Sequence, residues 1–195
     1  MDNTKVKLHH YYKLYKPYGY LSQFASNSIQ QQKKKFISEL FAFENGTMPI
    51  GRLDVDSEGL LLLTTDGKLS DTINKGAIEK EYYAQVDGEI DDASIQQLQQ
   101  GVEIGVHGKK YMTQPCQVKK LTSVPHFPER SKKIRDERHG PTSWVSITIS
   151  EGKFRQVRKM TSAVGFPTLR LVRIRIGHHR LDAMLPSDVI VLDAL

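Results

Sequence analysis

Gly51-Arg52-Leu53-Asp54-Val55-Asp56-Ser57-Glu58-Gly59-Leu60-Leu61-Leu62-Leu63-Thr64-Thr65-Asp66-Gly67 is the stretch on which the reading of this chain turns. Four leucines between Gly59 and the turn signal Asp66-Gly67 make a short apolar run, which predicts a buried strand over 59–65. Asp54 ends a predicted turn just ahead of that strand. A carboxylate at such a junction can be fixed by rigid structure and still face a cleft. To stay ionised it needs a cationic neighbour, because an unpaired buried carboxylate shifts its pKa upward and takes a proton.

The spacing of Asp54, Asp56 and Glu58 imitates the opening of a calcium-binding loop. That loop needs a bidentate Glu at its twelfth position, and here the position is Thr65, after four leucines. Calcium is rejected, which leaves at most a two-carboxylate magnesium site. The seven histidines show no ligand spacing and there is no cysteine pair, so zinc is not expected either.

Outward from this stretch, strands and helices intersperse without regular alternation, which favours an α+β fold over a doubly wound sheet. His9–Lys16, Lys80–Val86, Ser143–Ser150, Leu169–Ile176 and Val189–Leu192 read as strands, the third with Val145, Ile147 and Ile149 inward. Lys80, Tyr82, Ala84 and Val86 share one strand face. In the Leu169–Ile176 segment, Val172, Ile174 and Ile176 are expected inward and Arg173 and Arg175 outward. Helices are expected over Leu69–Asn74, after the capping pair Asp91/Asp92, and over Lys153–Val164 with the apolar stripe Phe154, Val157, Met160 and Val164. Lys33–Leu40 has helical spacing of Phe36, Ile37 and Leu40, with three lysines at the end where the helix dipole disfavours them. Ser26–Gln32 reads as a loop and Lys119–Pro141 as a long charged surface loop.

The chain has 195 residues, enough for one substantial core or two small subdomains. A net charge of +6 favours an acidic partner, nucleic acid ahead of membrane. No apolar stretch is long enough to span a membrane, and the N-terminus has no signal-peptide core. Cys116 is the only cysteine, so no internal disulfide can form and a reducing cytoplasm is the expected home.

Arg155, Arg158 and Lys159 share one face of the expected Lys153–Val164 helix. That face fits a solvated helix side, or a cationic wall standing just after the strand end at Glu151-Gly152. Tyr82 fits a core aromatic, or a tyrosine at a cleft edge that stacks on an extruded base. Neither residue decides alone.

Together, four ordered segments resemble the ribosomal RNA pseudouridine synthase family. They are Tyr15-Lys16-Pro17-Tyr18-Gly19, the Gly51–Gly67 block, Lys80-Glu81-Tyr82, and Glu151-Gly-Lys-Phe-Arg-Gln-Val-Arg-Lys-Met160 continuing through Val164-Gly-Phe-Pro-Thr-Leu-Arg-Leu-Val-Arg173. Pro141-Thr-Ser-Trp144 and Gly165–Arg170 bring the resemblance nearest to the large-subunit group.

The resemblance implies one catalytic domain over 1–195, two halves around a central cleft, and a mixed, largely antiparallel sheet with flanking helices. Many relatives carry an N-terminal RNA-binding domain, for which there is no room before Lys16, so the catalytic domain is expected to grip RNA itself. Lys33–Lys35, the 119–140 loop and the Arg173/Arg175 face are the candidates.

The resemblance further implies that Asp54 acts at the ribose C1′ of a target uridine, with Arg158 pairing it. Arg52 would fill the gap left by the flipped base, and Tyr82 would stack on the uracil. Lys80, Arg155 and Gln156 would contact substrate. No cofactor and no metal are expected, and the chain is expected to act as a cytoplasmic monomer on large-subunit ribosomal RNA. Two other readings stand beside this one. They are a non-catalytic ribosomal RNA binding or assembly factor, and a metal-dependent nuclease using Asp54, Asp56 and Glu58.

Overall fold

The structure, a computed structural model, describes residues 8–135 and 137–195. Strands β1 (Tyr11–Lys16) and β2 (Tyr20–Leu21) precede a single helical turn, α1 (Ile29–Gln32), and the short β3 (Lys35–Phe36). Then come β4 (Met48–Ile50), β5 (Glu58–Thr64), α2 (Gly67–Lys75), β6 (Lys80–Asp87) and α3 (Asp92–Gln100). A hairpin of β7 (Glu103–Val106) and β8 (Lys109–Met112) leads to β9 (Gln117–Lys120) and β10 (Thr142–Ile149). Helix α4 (Gln156–Ala163) is followed by β11 (Thr168–Ile176), β12 (His179–Arg180) and β13 (Val189–Leu192).

Among the described residues the strands form a nine-stranded sheet in the order β13-β1-β5-β11-β6-β10-β9, with β12 on β11 and β4 on β5. All its ladders run antiparallel except β5 against β11. The fold is α+β with a mixed, largely antiparallel sheet, as expected.

That parallel seam joins two halves with separate cores. On one side, Leu60 and Leu62 pack with Tyr15, Ile50, Val172 and Ile176, while Leu61 and Leu63 turn to the opposite face with Tyr12, Leu14 and Ile37. Every residue of β5 is buried, so the leucine run serves two cores at once. Each buried leucine side chain contributes about 1.5–3 kcal/mol. On the other side, α3 and α4 lay Ile95, Leu98, Val157 and Met160 against Ala84, Val86, Val145 and Ile147.

The register at the seam sets up the functional region. Gly59 pairs with Arg173, and Arg173 pairs in turn with Tyr82. The strands meet so closely that a Cβ on Gly59 would lie 2.3 Å from the Arg173 carbonyl oxygen, and its φ of +105° is one that L-residues rarely adopt. Only glycine lets the segment carrying Asp54 sit directly against β11.

Several expectations are corrected. Lys33–Leu40 is not an α-helix: β3 pairs in parallel with β2, and a 3-10 turn (Ile37–Glu39) follows. Fully buried Ile37 anchors this segment in the β1/β5 core, which overrides a spacing carried by only three apolar residues. Conversely, the polar Ser26–Gln32 stretch contains α1. Lys119 and Lys120 belong to β9, paired with β10, rather than to the loop. Phe154 is 56% exposed and precedes the helix instead of packing in its stripe. The Arg173/Arg175 face is not solvated. Arg173 is buried and donates through Nε to the Leu60 carbonyl at 2.8 Å. Arg175 is held by Glu81 and Glu79, each at 3.0 Å. Register shifts at 168/170 and 173/175 break the alternation that simple period-two counting assumes.

Candidate active site

The seam opens into a cleft of about 1000 Å³ whose lining includes Arg52, Asp54, Lys80, Tyr82, Arg155, Gln156 and Arg173. Both halves contribute. The loop 51–57 arrives from the β4/β5 side, and β6, β11 and the entry to α4 arrive from the other.

Asp54 is held through its backbone. Ser22 Oγ donates to the Leu53 carbonyl at 2.8 Å and accepts from the Leu53 N–H at 3.0 Å. The Gly19 N–H donates to the Val55 carbonyl at 2.7 Å, and the Ser57 N–H closes a turn onto the Asp54 carbonyl at 3.0 Å. Leu53 is buried beneath the loop, whose backbone is tied at residues 53, 54 and 55, while the Asp54 side chain keeps 26% of its surface open.

Arg155 faces this loop from across the seam. It has φ 54°, a left-handed conformation uncommon for a residue with a side chain, and it caps α4. Its Nη1 and Nη2 donate to the two Asp56 carboxylate oxygens at 2.9 Å each, and Nη1 lies 3.5 Å from Asp54 Oδ2. This corrects the expected pairing. Among the described residues the ion-pair partner of Asp54 is Arg155, and Arg158 takes a different part. The left-handed turn carries Arg155 over the loop. Arg158, one helical turn on, donates through Nη2 to the Asp56 carbonyl at 2.8 Å and to Ser57 Oγ at 3.3 Å. Arg158 therefore shapes the loop from beneath and is not part of the cleft lining.

The two carboxyls are driven apart. Burial pushes the Asp54 carboxyl above its ordinary pKa, helped by the Asp56 charge and opposed incompletely by Arg155, Arg158 and Lys16. Burial acts on Asp56 in the same direction, but its hydrogen bonds from Arg155 and the nearby guanidinium charges win, and it falls below the ordinary value. The ion pair with Arg155 thus favours the charged form of Asp56, while burial disfavours that of Asp54.

Tyr82 is 9% exposed, and its hydroxyl lies 3.4 Å from Arg173 Nη1. Lys80 is half-buried at the start of β6, with Nζ 3.5 Å from the Ser150 carbonyl and a pKa lowered by burial and then by Arg173. Arg52 stands exposed at the cleft. Gln156 is buried with its amide spent internally: Nε2 donates to Glu151 at 2.6 Å and Oε1 accepts the Lys153 N–H at 2.9 Å. Glu58 is far from free: it is 1% exposed and doubly hydrogen-bonded by Arg170 at 2.8 and 3.0 Å. Asp54 and Asp56 thus share Arg155, while Glu58 is turned away from them and held by Arg170. Among the described residues no three His, Cys, Asp or Glu side chains gather in a way that could hold a metal ion.

Two residues outside the sequence-based site matter. Lys16 is fully buried, donating to the Pro17 and Tyr20 carbonyls at 2.9 and 2.8 Å. Burial pulls its pKa down to about 7 despite Glu58, Asp56 and Asp54 nearby. Arg173 crosses beneath the cleft to Tyr82. A lysine ending a strand before Pro17, and an arginine alternating with valine and isoleucine, were the available signals; the alternation put Arg173 on the outward face.

The chain is similar in sequence and in fold to known proteins. The sequence matches the family described as RNA pseudouridylate synthase over residues 10–163. It is 42% identical over 175 residues to ribosomal large subunit pseudouridine synthase E of Xanthomonas axonopodis pv. citri (strain 306), covering 89% of this chain and 88% of that one. Identity to the synthase E of Vibrio vulnificus (strain CMCP6) is 40% over 177 residues, covering 89% of this chain and 70% of the relative. Ribosomal large subunit pseudouridine synthase B of Escherichia coli (strain K12) is 34% identical over 140 residues, 70% of this chain and 41% of that one. A crystal structure of a pseudouridylate synthase superposes with a TM-score of 0.73 at 27% identity, covering 97% of this chain and 72% of the other. An H/ACA RNP bound to a substrate RNA containing 2′-deoxyuridine shares the fold at TM-score 0.54 and 18% identity, covering 90% of this chain and 50% of that one.

Proposed function

Since the chain belongs to the RNA pseudouridylate synthase family, and is by that membership an isomerase acting on ribosomal RNA, we propose that it converts one specific uridine of large-subunit ribosomal RNA to pseudouridine with Asp54 as the catalytic carboxylate. The observation that carries the proposal is Asp54 itself. Its carboxyl is raised in basicity, aimed by Arg155, and open to the same cleft that Tyr82 lines.

The geometry supports a division of labour. A uridine extruded from its stack enters the cleft at a cost of a few kcal/mol. Asp54 acts at the ribose C1′ as the C1′–N1 bond breaks. The freed uracil turns, C1′ bonds to C5, the C5 proton is lost, and N1 gains one, so the product is an isomer of the substrate. Tyr82 stacks on the uracil and assists removal of the C5 proton. Arg155 keeps Asp54 ionised, Arg158 positions the loop through Asp56 and Ser57, and Gln156 braces Glu151 rather than meeting RNA. Arg52, exposed at the cleft mouth, fills the space the base vacates, and Lys80 supports the substrate-facing end of β6.

No cofactor enters, because the reaction changes no oxidation state. One catalytic domain with the cleft between its halves acts as a monomer. A reducing cytoplasm suits half-buried Cys116, whose thiol burial pushes up to about 11. No helix among the described residues is long and apolar enough to cross a membrane.

The test is to map pseudouridines in large-subunit ribosomal RNA from cells with and without the gene. Loss of one site on deletion supports the proposal. An unchanged map refutes it and favours the binding-factor reading. Lys33–Lys35 remains a candidate RNA grip: neutralising it is expected to flatten the salt dependence of RNA binding.

A further inference from the structure

Phe154 is an anomaly in a well-packed region: a large apolar ring, 56% exposed, on the wall of the cleft and one residue from Arg155. It is not loose. The β7–β8 hairpin turns through His107-Gly108, both with positive φ (50° and 77°), a two-residue turn whose twist suits a tight hairpin. The tip places the His107 ring 6.1 Å from Phe154 at an interplanar angle of 27°. Lys159 pins the hairpin by donating to the Gly105 carbonyl at 2.6 Å, and its ammonium stands 5.0 Å from the Phe154 ring centre. Exposed Lys153 lies on the cleft lining beside Phe154, and exposed Lys109 follows the hairpin tip.

The fold thus spends a hairpin and a lysine to hold an aromatic ring open to solvent beside a cationic cleft. We propose that Phe154, braced by His107 and Lys159, is a stacking platform for an unpaired RNA base adjacent to the uridine that enters the cleft. This rests on the RNA-modifying function proposed above. An aromatic face offers every base a π surface, and surrounding lysines meet the phosphates on either side. An RNA backbone supplies a phosphate counterpart for those cations, which an apolar protein surface does not.

The test uses the full chain and an unmodified transcript of large-subunit ribosomal RNA. Stacking contributes roughly 1–3 kcal/mol, so Phe154→Ala should weaken binding about 5- to 150-fold. The slope of log K against log salt should not change, because no charge is removed; Lys153→Ala should instead flatten it. Phe154→Trp should keep the affinity, and the introduced indole should be quenched on RNA saturation. The native Trp144, 7% exposed, serves as an internal reference for folding. Unchanged affinity in Phe154→Ala, or an indole in Phe154→Trp that RNA leaves unaltered, overturns the platform. So does an indole that responds only when a protein component is added. If Phe154→Ala binds normally while the unaltered protein forms pseudouridine, the platform fails and the function stands. If binding depends on Phe154 but no pseudouridine ever forms, the function fails and the platform stands.

Discussion

Replacing Arg155 by alanine and, separately, by glycine divides its side-chain role from its backbone strain. The guanidinium donates two hydrogen bonds to Asp56 at 2.9 Å, with the paired side chains 34% and 30% exposed. Charge-assisted bonds of this kind contribute about 1.5–3 kcal/mol when buried, and solvent screening reduces that to about 1 kcal/mol each at this exposure. Either variant should therefore lose about 2 kcal/mol. The backbone at φ 54° adds an opposing effect. A left-handed residue with a Cβ costs about 1–2 kcal/mol, and glycine escapes it at an unfolded-state entropy cost of about 0.4–1 kcal/mol. Arg155→Gly is thus expected to be more stable than Arg155→Ala by about 0.5–1 kcal/mol, the reverse of the order at an ordinary helix site. Urea denaturation measures the difference. In activity the two should behave alike. Arg155 lowers the pKa of Asp54, so removing it raises that pKa further, and the acid limb of kcat/KM should move to higher pH in both. An alanine variant at least as stable as the glycine one would refute the strain argument. An acid limb that stays in place would refute the electrostatic one.

Gly59→Ala should cost more than about 3 kcal/mol or abolish soluble expression, because the added Cβ meets Arg173 backbone at 2.3 Å; a near-neutral Tm shift would contradict the close seam. Arg170→Met strands Glu58, 1% exposed, and should lose about 3–5 kcal/mol, with the double change Glu58→Gln/Arg170→Met recovering part of it in denaturant titrations. Lys16 titrates near 7 folded and 10.5 unfolded, so between those values the unfolded chain binds more protons and native stability rises with pH. Measured against Lys16→Met, the unaltered protein should therefore gain stability from pH 7 to 10; a constant gap would show that the buried amine does not titrate there.

What the sequence made legible was what local pattern can carry. The leucine run declared β5, Lys80–Val86 put Tyr82 on the core-facing side, and Asp91 capped α3 by accepting the Ser94 N–H at 2.7 Å. Asp54 was legible as a carboxylate at a rigid junction. Which guanidinium serves it was not, because that depends on a left-handed backbone at Arg155 that no local signal announces. Arg155 and Arg158 look equivalent on a helical wheel, yet the helix starts at Gln156, so one lies before it and the other within it. The burial of Lys16 and of Arg173 was missed for a related reason. Their charges are buried by strands arriving from distant sequence, and alternation cannot distinguish a sheet face that meets water from one covered by a loop. The His107-Gly108 hairpin was findable, since a two-residue turn ending in glycine between short extended segments is a local signal.

Asp54→Asn tests the central claim most directly. The amide keeps the shape and removes the ionised oxygen. Because burial already disfavours that charge, the variant should fold at least as stably as the original at neutral pH. The account predicts that it binds a large-subunit ribosomal RNA transcript with unchanged affinity and forms no pseudouridine in it. Pseudouridine formation at the original rate by Asp54→Asn would contradict the account.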